Sequence, residues 1–531
     1  MDEISGIFLP ISGTPYYSIT RISSLMKLSF PVRIYVIALV LRLIPILLTH
    51  GLGIGLDDMF QYDMLARSIV SGNGYRWYAQ EDLKQLEPYV DFDLATASGY
   101  DPKYGLYTSF RAPLYPTFLA IVYFFSGTGF SRFFAARLAQ VILLGAPLAP
   151  LTYLVSKHLS SSFFIDDKKL EKVAKTSAWI VACYPMLLVY PLGLGTENPF
   201  FVLLLSSFLF LLKSIEQPTK LNFILSGVFL ALTALTRSVI LPFAGLVIFL
   251  VIARGVFPRS NLLVNLGWLR REEHPPRNDV LWVGIAFVLV LTPWVVRNSL
   301  LHHKLTGIET SMGYNLYLGY YPRGNGSFIF GPSLDLLTIM DDAERDEVGT
   351  QKAIGFIKDQ PERIIPLAVD RLGFFFGLEK RVLMYFYSNN LIGYIPKPIL
   401  LVVAAILLLP FVVVSVSATM GLSLLKWNPQ LTLLILLLVA YLLPHVFILS
   451  EDRFHLALIP YFVILAAQFW AGGIKQVSAR WNESFTGKLL VSLAVVGVLL
   501  LFLNWGLELS RDADKIAQLL GPNGNQTYFP Y

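Results

Sequence analysis

Apolar residues form long runs that are separated by shorter polar segments along most of the chain. A helix of about 20 apolar residues is long enough to cross the roughly 30 Å hydrocarbon core of a bilayer. The pattern therefore predicts an all-α polytopic membrane protein with eleven transmembrane helices. The predicted spans cover residues 33–50, 132–156, 176–192, 197–214, 221–236, 238–254, 280–297, 396–419, 429–449, 453–474 and 488–508.

Lysine and arginine in the polar segments predict the orientation, because cytoplasmic loops carry an excess of these residues. Arg21, Lys27 and Arg33 precede the first span, which places the N-terminus in the cytoplasm. A basic loop after residue 156 is expected on the same side. Only one clear span leads into that loop, so the short apolar run 113–127 is predicted to be an interfacial or re-entrant helix. The same alternation places the C-terminus outside.

Two long hydrophilic segments are expected on the external side, within residues 53–131 and 298–395. The first is predicted to contain an amphipathic helix over residues 59–71, whose apolar side chains, Phe60, Leu65, Ile69 and Val70, face the membrane. The second is predicted to contain a charged helix near 342–359. The predicted divisions are an N-terminal segment 1–32, a transmembrane core 33–297, an external segment 298–395, C-terminal transmembrane helices 396–508 and an external tail 509–531.

Composition supports the membrane class, since 55% of the residues are hydrophobic, 15% are charged and the mean hydropathy is +0.59. The net charge of +6 is concentrated in loops between apolar runs, so it reflects topology and no nucleic-acid partner is expected. Cys183 is the only cysteine, which excludes an intrachain disulfide. The N-terminal region lacks the pattern of a cleavable signal peptide, so the first span is expected to remain as an anchor.

Acidic residues at the predicted external surface are candidates for chemistry. Asp57 and Asp58 follow the first span, and Tyr62 lies one helical turn after Asp58. A carboxylate there is suited to accept a proton from a hydroxyl or amine, or to bind a divalent cation. Capping of the next helix accounts equally well for Asp57, whereas the surrounding charges favour a functional interpretation of Asp58. Glu197, which begins another span on the same face, leaves both interpretations open.

Arginines at the ends of spans form a second set of candidates. The arginines expected on the external face are Arg111, Arg237, Arg297 and Arg453. Each alone is explained by a side chain that reaches from a span to the interface. As a set they are suited to bind a phosphate, because guanidinium forks match phosphate oxygens. Arg42 lies within the first span and is expected to pair with a buried acid or carbonyl, or to reach a lipid phosphate.

Short motifs follow one another in a recognisable order. They are Asp58-x3-Tyr62-x3-Ala66, Gly72-x-Gly74-Tyr75, Arg111-x-Pro113-x-Tyr115-Pro116, Thr196-Glu197, Leu235-Thr236-Arg237, Pro293-Trp294-x2-Arg297-Asn298, Gly313-x-Asn315-Leu316-x2-Gly319 and Glu451-x-Arg453-x4-Leu458-x-Pro460. This order resembles the polyprenyl-phosphate-sugar-dependent glycosyltransferases of the GT-C superfamily, in glycosyltransferase family 39, which includes protein O-mannosyltransferases and aminoarabinose lipid A transferases. The resemblance covers residues from about 33 to 470.

The resemblance implies a GT-C fold with juxtamembrane helices in the first external loop, and a catalytic core within residues 33–297. It implies inverting transfer of a sugar from a polyprenyl monophosphate to a protein, lipid or glycan acceptor on the external face of the cell membrane. Asp58 would be the catalytic base or a ligand of a divalent metal ion such as Mg, Mn, Ca or Zn. Asp57 would be its neighbour, and Glu197 would be the second acid and metal ligand.

The resemblance also implies the residues that bind the substrates. Arg111 matches the family's basic residue that meets the donor phosphate, and the charge pattern adds Arg297, Arg453 and Arg237 as donor-phosphate candidates. Tyr62, Tyr115 and Asn315, which lie in these motifs, are candidates for contact with the substrates. The chain departs from the family in two motifs. Many relatives carry Asp-Glu where this chain has Asp57-Asp58, and the family's Arg-Tyr-Arg is Arg453-Phe454-His455 here.

Three other functions are compatible with part of the pattern. A transporter or flippase of lipid-linked saccharides would carry polar or broken helices and an inverted repeat, of which only Arg42 gives a hint. An inactive scaffold subunit would lack the first-loop acid, which is present here. An O-antigen ligase or polymerase would use a diphosphate-linked donor. The identity of the sugar and of the acceptor does not follow from the sequence.

Overall fold

A computed structural model describes residues 28–92, 94, 97–161, 166–256 and 281–529, with the side chains of 252–256 excepted. The chain is predominantly helical, as the apolar runs predict. The N-terminal half contains α1 Phe30–Leu48, α2 Asp58–Val70, α3 Gln80–Leu86, α4 Leu114–Ser126, α5 Arg132–Gln140, α6 Leu148–Ser160, α7 Asp167–Cys183, α8 Pro185–Val189, α9 Glu197–Glu216, α10 Lys220–Ala234 and α11 Leu241–Val256. The C-terminal half contains α12 Leu281–Leu301, α13 Met312–Tyr320, α14 Phe330–Asp335, α15 Asp342–Asp359, α16 Ile364–Phe375, α17 Lys397–Leu424, α18 Pro429–Phe447, α19 Ile459–Glu483, α20 Phe485–Arg511 and α21 Ala513–Leu519.

Eight helices of the described part are long and apolar enough to cross a membrane, and a ninth candidate is the pair α7–α8, which is bent by 54°. Two more predicted spans correspond to α10 and α11, which are apolar but shorter. Each of the eleven predicted spans therefore corresponds to a helix or a bent helix pair. The protein is an all-α polytopic membrane protein, and α10 and α11 are the predicted spans whose described helices are shorter than a typical membrane-spanning helix.

The two most buried candidate spans in the described part are α9 and Phe454–Glu483, which includes α19. Around them the helices approach closely where glycine removes a side chain. A Cβ atom at Gly421 of α17 would lie 2.3 Å from the carbonyl oxygen of Leu465 in α19. A Cβ atom at Gly227 of α10 would lie 2.2 Å from the carbonyl oxygen of Val283 in α12. Small residues at such crossings allow the backbones of membrane helices to pack directly against each other.

Arg42 uses carbonyl oxygens, which is one of the alternatives that its position in the first span left open. Its guanidinium is fully buried and donates to the carbonyl oxygens of Val181 at 3.0 Å and Ala182 at 3.1 Å. These carbonyls lie at the end of α7, where the break before Pro185 leaves them without partners in the helix. Arg42 therefore stabilises the bend between α7 and α8 from the neighbouring helix α1.

The first long hydrophilic segment, residues 53–131, folds around α2. One side of α2, with Phe60 and Leu65, packs on a cluster that contains Trp77 and Phe110. Another side packs on α4 through Tyr62. The prediction that Phe60 and Leu65 face the membrane is therefore wrong: both are buried in protein, because the segment 72–110 supplies an apolar core of its own.

A short antiparallel pair of strands and α4 complete this segment. Strands β1 (Arg76–Trp77) and β2 (Leu106–Tyr107) pair with Arg76 opposite Tyr107. The 13 residues of α4 bury Tyr115 and Leu119 and expose Phe124 and Phe125. A short helix with one exposed apolar face is the form predicted for the interfacial helix at 113–127.

The second long hydrophilic segment, residues 298–395, contains the predicted charged helix, α15, at the predicted residues. It crosses α13 at a point where a Cβ atom at Gly313 would lie 1.8 Å from the carbonyl oxygen of Asp346. The backbone N–H of Gly313 donates to Asp346 at 2.6 Å. These contacts fix α13 on α15, and Tyr314 of α13 packs on Phe110 of the first long hydrophilic segment.

Candidate active site

The two adjacent acids of the first motif have different roles in the structure. Asp57 is the N-cap of α2, and its carboxylate accepts a hydrogen bond of 2.8 Å from the backbone N–H of Met59. A capping carboxylate satisfies a helix N–H and interacts favourably with the helix dipole. Asp58 is the first residue of α2, and its side chain forms no cap. It points instead toward a group of charged side chains and remains 40% exposed.

Asp58 forms an ion pair with Arg111, and the same guanidinium donates to Gln61 at 2.7 Å. Asp58 and Gln61 lie one turn apart on α2, so both face the segment that enters α4. Arg111 precedes α4 in an irregular segment, and 19% of its side chain is exposed. Helix α2 therefore presents a carboxylate and an amide to one guanidinium, and these two contacts hold Arg111 beside Asp58.

Glu197 and Arg237 form a second ion pair, with 2.6 Å between Glu197 Oε1 and Arg237 Nη1. Glu197 begins α9, where the helix dipole favours a carboxylate. Arg237 lies in the break between α10 and α11, and its guanidinium also contacts the ring of Phe454 at 5.2 Å. The pair is almost buried, since only 8% of the Glu197 side chain is exposed.

Arg453 connects the two pairs. Its Nη2 atom lies 3.7 Å from Asp58 Oδ2, and its Nε atom lies 3.7 Å from Glu197 Oε1. On the other side Arg453 Nε lies 2.8 Å from Glu451 Oε2, which is also 2.9 Å from Arg381 Nη2. One charged cluster therefore joins residues from the segments around α2 and before α4, the loop after α18 and the start of α9.

Electrostatics keep Asp58 ionised. Burial by itself would raise the pKa of its carboxyl group, but the neighbouring arginines outweigh burial and hold the pKa below its ordinary value. Arg111 makes the largest contribution of the arginines, followed by Arg453. Burial raises the pKa of the Tyr62 hydroxyl to about 12, so this group stays protonated beside the carboxylate. The site combines an accessible carboxylate with several fixed positive charges.

The remaining predicted site residues lie around this cluster or outside it. The ring of Tyr62 packs edge-on against Tyr115 and lies 5.4 Å from the Arg111 guanidinium. Tyr115 is fully buried, and its hydroxyl donates to Gln140 at 2.5 Å, away from the acids. Asn315 is half-buried on α13. The structure therefore places Tyr62 beside the acids and Tyr115 behind it.

Arg297 is not brought to the cluster. Its guanidinium donates to the carbonyl oxygen of Thr108 at 2.6 Å and lies over the ring of Trp294. The Arg297 guanidinium also donates to the carbonyl oxygen of Tyr75 at 3.4 Å. Through these contacts the Arg297 side chain anchors the first long hydrophilic segment on α12. Direct binding of a phosphate by Arg297 remains a sequence prediction that this geometry does not favour.

Sequence reasoning missed three members of the site. Gln61 orients Arg111, while Glu451 and Arg381 hold Arg453. Glu451 stands in the same motif as Arg453, so its position two residues earlier was a usable signal. Arg381 lies far from any motif, and only the tertiary structure brings it to Glu451.

The pair Asp58 and Glu197 was predicted to bind a divalent metal ion. Within the described residues, no group of three or more His, Cys, Asp or Glu side chains is arranged to hold a metal ion. A divalent cation of this kind is bound by several oxygen ligands. Here each carboxylate is neutralised by an arginine, and the guanidinium of Arg453 lies between the two. The residues therefore do not fit a metal site.

Comparisons with known proteins found similarity among solved structures. No family model matches the chain, and no curated protein matches it. Among solved structures, the chain is similar to ArnT from Cupriavidus metallidurans, whose crystal structure was determined bound to undecaprenyl phosphate. The two share 14% sequence identity, and the match covers 85% of this chain and 79% of that chain with a TM-score of 0.36. A TM-score of that size does not establish a common fold.

Proposed function

We propose that this protein is a membrane glycosyltransferase that moves a sugar from a polyprenyl monophosphate to an acceptor on the external face. The observation that carries the proposal is the accessible carboxylate of Asp58 held against Arg111 and close to Arg453. Such a site has a base for the acceptor and cations for a leaving phosphate. The order of the sequence motifs supports the same reaction, with a GT-C arrangement of the helices.

The proposed step is a direct displacement at the anomeric carbon. The acceptor hydroxyl or amine forms a bond to that carbon while the carbon–oxygen bond to the phosphate breaks. Asp58 takes the proton from the acceptor, and the phosphate leaves on the polyprenyl chain with the bonding electron pair. One displacement inverts the anomeric configuration. The depressed pKa of Asp58 makes it a weak base, which suits an acceptor whose proton becomes acidic only as the new bond forms.

The arginines stabilise the charge that develops on the departing phosphate. Arg111, Arg237 and Arg453 have 19%, 20% and 24% of their side chains exposed, so a ligand can reach them. Each is held by a carboxylate before the donor binds, and fixed cations need little reorganisation during the reaction. Guanidinium groups match phosphate oxygens in geometry as well as in charge. In this scheme Glu197 orients Arg237 and Arg453 and does not itself accept a proton.

The test is transfer by purified full-length protein from polyprenyl-phosphate sugars that carry a radiolabel in the sugar. A panel of hexose and pentose donors is needed, and release of polyprenyl phosphate by water provides a readout without a known acceptor. We expect Asp58→Asn to reduce turnover by about 10²- to 10⁴-fold, the usual contribution of a general base. Asp91→Asn, which removes an exposed acid in the same loop, is the matched control.

Two further arms separate this function from its rivals. A ligase that uses diphosphate-linked donors would prefer them in competition with the monophosphate donor. A flippase would move the labelled lipid across a vesicle membrane without breaking the sugar–phosphate bond. Turnover of the monophosphate donor that is unchanged in Asp58→Asn would contradict the proposed mechanism.

A further inference from the structure

Residues 108–112, which lead to Arg111, form an irregular segment whose polar groups are bound from outside. The backbone N–H of Thr108 donates to the carbonyl of Tyr75 at 3.2 Å, and the backbone N–H of Thr310 donates to the carbonyl of Ser109 at 3.0 Å. A segment without regular secondary structure depends on such external partners, because buried backbone groups need hydrogen bonds. The conformation of residues 108–112 is therefore set by the elements around it.

Asp342, the first residue of α15, makes the most extensive of these contacts. One of its carboxylate oxygens, Oδ2, accepts from the hydroxyl of Thr108 at 2.5 Å and from the backbone N–H of Ser109 at 2.7 Å. Its other oxygen pairs with Arg345 at 2.6 Å. All four residues are buried to 1% exposure or less. Hydrogen bonds to a buried charged group are the strong ones, so this contact ties α15 firmly to the segment.

Two other groups from beyond residue 296 hold the same segment. His302 Nε2 lies 2.6 Å from the hydroxyl oxygen of Ser109, which is also 3.1 Å from the hydroxyl oxygen of Thr310. Arg297 donates to the carbonyl of Thr108. Together Asp342, His302 and Arg297 contact two consecutive residues, Thr108 and Ser109, from different sides.

The segment has a direct connection to Arg111 on its other end. The hydroxyl of Tyr75 donates to the carbonyl oxygen of Arg111 at 2.9 Å, and the ring of Tyr75 packs on Trp294 of α12. The guanidinium of Arg111 also stands 5.0 Å from the ring of Phe110. The backbone is thus held at Arg111 by Tyr75 and, two residues earlier, at Ser109 by Asp342.

We infer that Asp342, His302 and Arg297 are positioning residues, which hold residues 108–112 so that the Arg111 guanidinium meets Asp58. The second long hydrophilic segment would then be part of the catalytic apparatus without touching the substrate. The catalytic consequence rests on the proposed function, whereas the mechanical link does not. Through this link α15, a charged helix outside the cluster, would influence the position of the Arg111 guanidinium.

The mechanical link is tested by hydrogen–deuterium exchange in Asp342→Asn and His302→Asn. His303→Asn is the matched control, because His303 is exposed and adjacent, and asparagine tolerates its positive φ of 51°. We expect exchange at the amides of Ser109 and Phe110 to rise about tenfold in the first two variants, as for a lost hydrogen bond, and to stay unchanged in the control. Unchanged exchange in both variants overturns the inference. His302→Asn keeps the test valid if Asp342→Asn does not fold, since Asp342 also neutralises Arg345.

The catalytic consequence is tested by the acid limb of the pH–rate profile. The carboxylate of Asp58 interacts with the positive charges of Arg111, Arg453 and Arg237 and with the negative charges of Asp57 and Glu197. Displacement of Arg111 should move the acid limb upward by about one pH unit, the effect of losing a close opposite charge. Simple loss of folded protein would lower the amplitude and leave the limb in place. Altered exchange with an unmoved limb therefore overturns the positioning role, whereas a wild type that transfers no sugar overturns the proposed function.

Discussion

The Nη2 atom of Arg453 lies 3.7 Å from the Oδ2 atom of Asp58, so the loop that follows α18 meets the start of α2 at the candidate site. Arg453 is held there by Glu451 at 2.8 Å. The consequence is a site that depends on segments from both ends of the chain. Changes in any of these segments are expected to alter the ionisation or the position of Asp58.

Asp57 and Asp58 should differ in what their removal costs. Asp57→Asn keeps a side chain that caps helices well, so we expect a loss of stability below about 1 kcal/mol and turnover within about tenfold of the wild type. Asp58→Asn should retain the fold and lose most of the turnover. Thermal unfolding and donor turnover, measured on both variants, check this division. Equal losses of turnover would show that the two acids act together.

The pH dependence of turnover should reflect the depressed pKa of Asp58. A base is active above its pKa, so the wild-type rate should fall only as the pH drops below about 4, the ordinary value for aspartate. Arg111→Gln removes the strongest of the opposing charges and should move this acid limb upward, with a lower maximum rate. Glutamine retains much of the length of the side chain. A limb that stays in place would show that Asp58 is not the titrating group.

Gly195→Ala should displace the carboxylate of Glu197. A Cβ atom at Gly195 would lie 2.7 Å from Glu197 Oε2, and the end of this side chain can move aside. We expect nearly normal thermal stability and a fall in turnover of about tenfold or more, because small misplacements of charged groups are costly in catalysis. Gly193→Ala is the control, since its Cβ would meet the Tyr190 carbonyl oxygen at an ordinary 3.5 Å. Equal effects of both substitutions would argue against displacement of Glu197 as the cause.

Asp63 should be important for stability and not for chemistry. Its carboxylate is 1% exposed and pairs with Arg67 at 2.8 Å and with Arg132 at 2.7 Å. Among the described residues, Asp63→Asn leaves Arg132 without a charged partner and leaves Arg67 paired with Asp82 alone. We expect a loss of about 3–5 kcal/mol, as for a broken buried ion pair. Denaturant unfolding measures this loss. Gln61→Ala, which changes a partner of Arg111 on the same helix, should affect turnover more than stability.

The same carboxylate predicts acid sensitivity of the fold. Burial would raise the pKa of Asp63, but its hydrogen bond with Arg132 and the charge of Arg67 outweigh burial and lower it. A carboxyl group with a lowered pKa in the folded state stabilises the protein above its unfolded pKa of about 3.9. This stabilisation is lost as the pH falls through the lower folded value. Unfolding measured between about pH 6 and pH 3 should show a smaller acid dependence in Asp63→Asn than in the wild type.

Turnover should not depend on a divalent cation. Asp58 and Glu197 already face guanidinium groups, so a cation would have to displace Arg453 from between them. We expect the rate to be unchanged after dialysis against EDTA, and unchanged again when Mg²⁺ or Mn²⁺ is added back. A rate that is lost with the chelator and restored by one cation would revive the predicted metal site.

The apolar pattern determined the secondary structure of the membrane part well. Each predicted span corresponds to a helix or bent pair, and the run 113–127 forms the short apolar helix α4. Since α4 is similar in length to α10 and α11, its interfacial position stays a prediction. Helix α15 was found at its predicted residues, since its charged sequence is typical of an exposed helix. The pattern failed for Phe60 and Leu65. Amphipathicity shows that a face is buried, but it does not distinguish membrane from protein as the partner.

For the site, the sequence by itself determined which charged residues emerge at the ends of spans, because burying an unpaired charge in hydrocarbon is costly. Asp58, Glu197, Arg111, Arg237 and Arg453 follow from that rule, and the structure brings them into one cluster. Only the tertiary structure decided that Arg297 anchors the loop and that Arg381 supports Glu451. It also decided that Asp57 caps α2, whereas Asp58 pairs with Arg111. Partners of this kind depend on directions and distances between distant segments, and no local pattern of residues encodes them.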